Sequence, residues 1–487
     1  MSALPARAHE VPKTRTPAVI RWLVLATFIV ILNETVMINA IPRLMADFDV
    51  SARSAQWLST AFMLTMAAVI PTTGWFLQRV TTRSAFATAM TVFAAGTLLA
   101  TLAPTFEVLL LARIVQAGGT AVMMPLLMTT LMTVVPEHDR GRVMGNVTLA
   151  ISVAPALGPA VSGVLLQLGS WRLIFAVVLP IALAVAVVGL SRLENVGEPQ
   201  PGAIDWTSVV LAAFGFGGVV YGLSQLGAGD LSNPLLIVGV GVAAIVTFVL
   251  RQLRLQRTGT PLLDLRTLTH TVYRRSLLLM SVAFMAMLGS MILLPLYLQD
   301  LRGLSPLETG LLVMPGGLAM GLLGPKVGQI FDRFGSRPLV VPGSIGITVS
   351  LAVLTQVSLT TPYAVLLGAH MLLMVSLAGL FTPVFTLGLG AVPMHLYSHA
   401  SSLLGTLQQV AAALGTALVV TVMSSRATQL ASSGAEPHEA MLGGLQWAFY
   451  LGAALSVLVV VLAVRLPNRL PTAAAEPEPE RCEDLAA

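Results

Sequence analysis

Runs of roughly 20 consecutive apolar residues, the length that spans a bilayer as a helix, recur along the whole chain. Bounded by Pro, Gly or charge, they number fourteen, at 18–41, 55–77, 84–103, 106–134, 141–168, 173–191, 206–226, 233–252, 275–298, 306–331, 338–356, 362–388, 398–424 and 443–466. A chain so patterned must satisfy its backbone hydrogen bonds within each segment, because hydrocarbon offers no water to take them. The fold class is therefore an all-α membrane protein of fourteen transmembrane helices. Composition agrees: only 10% of residues are charged, against about 25% in soluble domains.

An even number of spans puts both termini on one side. Of the 27 Lys and Arg residues, 21 fall on that side and five (Arg43, Arg53, Arg172, Arg302, Arg426) on the other, with Arg113 inside a span. The positive-inside rule makes the termini side cytoplasmic, so a multi-pass protein of the cytoplasmic (inner) membrane is expected. Residues 1–17 read as a basic cytoplasmic tail leading into an uncleaved first helix, and 467–487 as a disordered cytoplasmic tail. The single cysteine, Cys482, lies in that tail, which excludes an intrachain disulfide and a thiolate metal cluster. The formal charge of +5 is spread over short loops without aromatic interleaving, so no nucleic-acid partner is expected.

Two loops repeat. GWFLQRVTTR (Gly74 to Arg83) closes the second span and GQIFDRFGSR (Gly328 to Arg337) closes the tenth, with glycine and arginines in register. If each follows the second helix of a six-helix unit, the units are 18–191 and 275–466, and 192–274 holds two inserted helices and their linkers. A parallel repeat about an axis along the membrane normal is a common plan of secondary transporters. Gly74, Arg79, Arg83 and Gly328, Asp332, Arg333, Gly335, Arg337 are the candidate cytoplasmic gate: glycines for a sharp turn, charges to pair with other helix ends.

Two charges lie well inside spans, Glu34 and Arg113, where an ionised side chain costs about 2.5–3.5 kcal/mol. Glu34, beside Asn33 in IVILNETVMINAIP, is suited to bind and release a proton from a low-dielectric cavity. The alternative is an acid held neutral or paired with a donor on a neighbouring helix. Arg113, in LLLARIVQAGGTA, needs an acceptor across a helix interface that the small residues after it allow to be close; it is either a coupling group or a hydrogen-bond hub. In APALGPAVSG, small residues at 154, 158 and 162 line one helix face and Pro159 bends the helix. His370 is a candidate second proton site, with a packing role as the alternative. A substrate cavity is expected to draw on Met37, Trp57, Phe62, Gln116, Tyr297 and Gln299.

Together these motifs resemble the major facilitator superfamily, and within it the fourteen-helix drug:proton antiporter branch that includes multidrug, quaternary-ammonium and lincomycin exporters. LNETVMINAIP resembles the branch's first-helix motif at Leu32, Thr35, Ala40 and Pro42. RIVQAGG resembles its fourth-helix motif, with Ala117 in place of a glycine, and implies a proton-transfer role for Arg113. APALGPAVSG is similar to its antiporter motif at Gly158, Pro159 and Gly163, with Ser162 in place of a glycine. WRLIFAVVLP, PLLDLR and PLYLQ are also similar to segments of this branch. The resemblance implies a major facilitator fold, two six-helix bundles plus two inserted helices. It further implies a carrier, expected to be a monomer, that exchanges protons for an amphipathic or cationic drug-like molecule by alternating access. Two departures stand out: Asn33 occupies the usual aspartate position with the acid moved to Glu34, and Gln78 and Thr81 replace Asp and Gly in the first loop.

The rival carrier reading is a dedicated exporter of one natural metabolite: an antibiotic, amino acid, siderophore or lipid. An enzyme is not expected, since the chain has no paired acids, no metal-spaced His or Cys and no nucleotide loop, and no cofactor or metal is called for.

Overall fold

The computed structural model describes residues 18–37, 40–196, 199–200, 202–226, 232–258 and 261–470. The tails at 1–17 and 471–487, with Cys482, lie outside the described residues. Those residues form α1 (Ala18–Val36), α2 (Ile41–Phe48), α3 (Ala52–Arg79), α4 (Thr82–Leu102), α5 (Phe106–Val134), α6 (Arg140–Leu168), α7 (Arg172–Arg192) and α8 (Trp206–Ser224). The chain continues through α9 (Ser232–Leu255), α10 (Thr271–Leu296), α11 (Pro306–Phe334), α12 (Arg337–Leu354), α13 (Tyr363–Gly390), α14 (Tyr397–Ser432) and α15 (Pro437–Val464). Thirteen helices are long and apolar enough to cross a membrane, and the pair Glu137–Gly158 and Ala160–Leu168, bent by 40°, makes a fourteenth. The bend falls at Pro159, as a helix-interior proline without an N–H requires.

Local chemistry sets the helix ends. Ser51, Thr81 and Thr105 cap α3, α4 and α5 by accepting the N–H of Ser54, Ser84 and Val108, and Ser305 with Glu308 forms a capping box on α11. The first span, expected to reach residue 41, ends at Val36, and Pro42 instead sits in the first turn of α2, where its missing N–H is harmless. Arg43 of α2 donates to Leu166 O and Gly169 O, and Asp47 accepts from Trp171 Nε1 at 2.9 Å. These bonds fix the short helix across the end of the bundle remote from the termini.

Two groups of six helices pack among themselves, α1 with α3–α7 and α10–α15, giving two six-helix bundles. They meet along two seams, α6 against α11 and α3 against α14. Each seam joins the second spanning helix of one bundle to the fifth of the other, as a two-fold relation along the bundle axis requires. The inserted helices α8 and α9 pack on each other, and α8 lies against both α3 and α14, alongside the second seam. At the mouth of α8, Asp205 receives two hydrogen bonds from Arg251 at 2.7 and 2.8 Å, and these hold its carboxyl at about 2, below the usual carboxylate range. Gln252 joins the same end of the hairpin to the loop at Leu262 and Leu263 by accepting both backbone N–H groups.

The α6–α11 seam is built on glycine. A Cβ on Gly324 would stand 2.5 Å from Gly145 O, so the two backbones touch without intervening side chains. Past the end of α11, Gly335 adopts φ +86°, a left-handed turn that suits glycine. Asn468 locks this turn, accepting Arg337 N–H on Oδ1 at 2.9 Å and Ser336 N–H on its carbonyl at 2.8 Å. Pro467 and Asn468, read from sequence as the start of a disordered tail, are thus structural: Pro467 O also accepts the Ser336 hydroxyl at 2.7 Å.

Gly324→Val is expected to destabilise the molecule by about 1–3 kcal/mol through overpacking, seen as a lowered melting temperature in detergent. Gly163→Ala, whose Cβ meets nothing within 4 Å, is expected to melt like the wild type. Equal melting of Gly324→Val and wild type would contradict the backbone contact.

Candidate functional site

Inside the first bundle a chain of polar groups runs between α1, α3, α4 and α5. Arg113 of α5 is 1% exposed. Its Nη1 donates to Gln116 Oε1 at 3.0 Å, its Nε donates to Leu58 O at 3.5 Å, and its guanidinium carbon stands 4.2 Å from the Phe62 ring centre. Gln116 Nε2 in turn donates to Thr97 Oγ1 at 2.9 Å, and Thr97 donates to Phe93 O at 2.8 Å. Every link is one helical turn or one helix contact, so the guanidinium is held in place by neutral partners.

Glu34 differs. It is partly exposed within the bundle, interacts electrostatically with Arg113, and forms no salt bridge within 4.0 Å among the described residues. No described residue donates a hydrogen bond to its carboxylate. Its neighbour Asn33 is 0% exposed, and neither polar atom of its side chain has a partner. Buried polar groups are nearly always paired, so an orphan amide next to an acid without a donor marks a place where the protein leaves hydrogen bonds unfilled. One residue on, Thr35 Oγ1 approaches Ala154 O at 3.5 Å, and a Cβ added to Gly158 would run into the Thr35 hydroxyl. The small-residue face of α6 is therefore seated on α1 beside Glu34, and the bend at residue 159 lies at the same level.

At the termini end hydrogen bonds bridge both seams. Asp332 at the end of α11 accepts Gly141 N–H on Oδ1 and Arg142 N–H on Oδ2, each at 2.8 Å, capping the first turn of α6 from the other bundle. A carboxylate at the positive end of a helix is favourable. At the matching place in the other seam stands Gln78, whose Nε2 donates to His395 O at 2.9 Å, just before α14. Arg140 Nη2 bonds Met132 O at 2.9 Å and Tyr397 Oη at 3.4 Å, and Ser402 Oγ donates to Ile70 O at 2.5 Å. Gly74 provides the space for His399: a Cβ there would stand 2.8 Å from His399 Nδ1.

The remaining residues singled out in the sequence fall elsewhere. Arg79 lies over the Trp75 ring at 5.1 Å and donates to Gln78 Oε1 at 3.0 Å. Arg83 offers its backbone N–H to Asn195, Arg333 lies over Phe334 at 5.1 Å while its carbonyl takes Arg469, and Arg337 bonds Asn468 through its N–H. The expected pairing of loop arginines with opposite helix ends is thus replaced by Asp332 and backbone amides. His370 packs on Gly316 of α11 and belongs to the second bundle.

The expected cavity residues do not form one wall. Met37 is buried with Leu58, Leu109 and Ala112, while Phe62 and Gln116 hold Arg113. Trp57, 37% exposed, lies against Tyr221 with ring centres 5.5 Å apart and lines a cavity of about 420 Å³ between α3 and α8. Tyr297 donates to Ser358 O at 2.6 Å and accepts from Arg302 at 3.0 Å, and Gln299 sits in the same π-helical turn, Tyr297–Leu301. Sequence reading passed over His399, which the rule applied to His370, a histidine in an apolar helix, would have flagged. It had no signal for the amides of Gly141 and Arg142, since backbone partners carry no residue type.

Asp332→Asn removes the charge and one acceptor facing α6, an interaction worth about 1.5–3 kcal/mol for a charged hydrogen bond. The population open at the termini end is expected to rise by about 10- to 100-fold. Spin labels at positions 83 and 274 in a Cys482→Ser background would report this as a longer distance component; an unchanged distance distribution would contradict the latch.

Comparison with known proteins agrees with this architecture. The family model described as Major Facilitator Superfamily matches residues 23–416. The chain is 37% identical to the uncharacterised MFS-type transporter YcnB of Bacillus subtilis (strain 168), covering 94% of this chain and 96% of that one. It is also 37% identical to the lincomycin resistance protein LmrB of Listeria monocytogenes serovar 1/2a, covering 92% and 96%. Among solved structures, the human organic anion transporter MFSD10 superposes with a TM-score of 0.67 at 14% identity, covering 92% of this chain and all of that one. With twelve of its fourteen candidate membrane-spanning helices in two six-helix bundles and a family model matching most of its length, the chain belongs to the major facilitator superfamily of membrane transporters.

Proposed function

We propose that the protein is a proton-coupled exporter of the cytoplasmic membrane, with both termini cytoplasmic, acting as a monomer on amphipathic or cationic drug-like molecules by alternating access. The observation that carries this reading is Glu34: an acid inside the bundle, partly exposed, without a hydrogen-bond donor among the described residues and within the field of Arg113. Arg113 keeps Gln116, Leu58 O and Phe62 as partners whatever the state of Glu34, so a proton can arrive and leave without stranding the guanidinium. Protonation of Glu34 from the outer side releases a cationic cargo; deprotonation toward the cytoplasm restores the attraction. A drug as cargo is supported by the lincomycin resistance named for a 37% identical relative.

The two hydrogen bonds at Asp332 join the bundles at the end we assign to the cytoplasm. Rocking of one bundle against the other must break those two hydrogen bonds to admit cargo. A proton-motive force of ~150 mV supplies ~3.5 kcal/mol per proton, enough for roughly a 300-fold gradient of a neutral cargo.

In energised inverted vesicles the wild type is expected to accumulate drug, and an uncoupler to abolish the accumulation. Glu34→Gln is expected to reach only a ratio near one, with no pH dependence of initial rate. Uncoupler-insensitive accumulation by the wild type would refute antiport, and wild-type pH dependence in Glu34→Gln would refute the assignment of the proton site.

A further inference from the structure

We propose that the groove between the termini-side ends of α1 and α7 binds an anionic phospholipid. A cavity of about 390 Å³ opens there, lined by Ala18, Arg21, Trp22, Leu25, Val188 and Arg192. Its two cations come from antiparallel helices and stand at one level, Arg21 one turn inside the start of α1 and Arg192 at the last residue of α7. Leu25 follows Arg21 by four residues and Val188 precedes Arg192 by four, so each guanidinium has an apolar side chain about 6 Å deeper on the same helix face. Leu25 and Val188 are 40% and 39% exposed, and Trp22 adds the aromatic typical of the headgroup level.

Among the described residues the charge is uncompensated. Arg140, Arg142, Arg251 and Arg266 each pair with a carboxylate, whereas among the described residues neither Arg21 nor Arg192 has an ion-pair or hydrogen-bond partner. The neighbouring acid, Glu194, is exposed and lies within 4.0 Å of neither guanidinium. Two cations at the mouth and an apolar floor running into the membrane match an amphiphile, with the phosphate between the guanidiniums and the first stretch of an acyl chain along Leu25 and Val188. Guanidinium forks suit phosphate oxygens, and basic pockets between transmembrane helices are known to hold acidic headgroups. A free phosphate would use the arginines but not the apolar floor.

Native mass spectrometry of the full-length protein in detergent, titrated with dioleoyl-phosphatidylglycerol or dioleoyl-phosphatidylcholine, tests this. The wild type is expected to prefer phosphatidylglycerol, and the pair Arg21→Gln and Arg192→Gln to lose about fivefold in preference per arginine, from about 1 kcal/mol per basic residue. The control pair Arg254→Gln and Arg274→Gln, which removes the same charge elsewhere on the termini side, is expected to keep the preference. Should the glutamine pair fail to fold, Arg21→Lys with Arg192→Lys is expected to retain preference and Val188→Glu to abolish it. No preference in the wild type, an equal loss in the control pair, or displacement of the lipid by millimolar inorganic phosphate would each overturn the proposal.

Discussion

Hydrocarbon leaves no polar group to water, and the architecture of this transporter follows from where its few buried polar groups find partners. Arg113 is met by an amide, a carbonyl and a ring; Asp332 is met by two backbone amides of the opposite bundle; hydroxyls such as those of Thr97, Thr133 and Thr406 return to carbonyls of their own helices. Against that background, Asn33 is one of several buried side chains with polar atoms left without a partner among the described residues, and it alone has an intramembrane acid, Glu34, beside it in the chain. The first is buried with its amide unfilled, the second is an acid that no described residue serves as a donor. They sit where α6 bends across α1, next to the helix that must move if the two bundles are to rock.

The two seams look alike in outline and differ in chemistry. Each is formed by a second helix crossing a fifth, and glycine lies at a close approach in both. At the α6–α11 seam a carboxylate meets the positive end of a helix, while at the α3–α14 seam the corresponding side chain is the neutral amide of Gln78, donating to a carbonyl. The first is a charge-assisted latch and the second an ordinary hydrogen bond, worth roughly half as much. The inserted hairpin lies beside the weaker seam, with α8 against α3 and α14, so extra packing stands where the latch has lost its charge.

Much of this was legible in the residues because the membrane enforces simple rules. Apolar length marked all fourteen spans, while their ends moved by several residues, at Val36 and Pro42 where a new helix begins and at α14, which runs on to Ser432 past the expected 424. The bend at residue 159 and the chemical difference between Asp332 and its counterpart Gln78 could also be read directly, since each rests on one residue's chemistry. What was not legible depends on approach between distant segments. The amides that meet Asp332 have no residue signature, the loop arginines proved to serve local turns and rings, and Asn468 left a region read as tail to lock the α11–α12 turn. The expected cavity wall failed for the same reason: Met37 and Tyr297 face packed neighbours rather than each other, because helix rotation cannot be taken from an all-round apolar sequence.

The account's central claim is that Glu34 trades a proton for cargo, and it can be met without a membrane or a gradient. The proton balance of drug binding to purified protein in weakly buffered detergent, read with a pH indicator, is the most direct measurement. Binding of a cationic drug to the wild type should release close to one proton per molecule bound, and binding to Glu34→Gln should release none. Binding without proton release in the wild type, or identical release in both, would contradict the exchange.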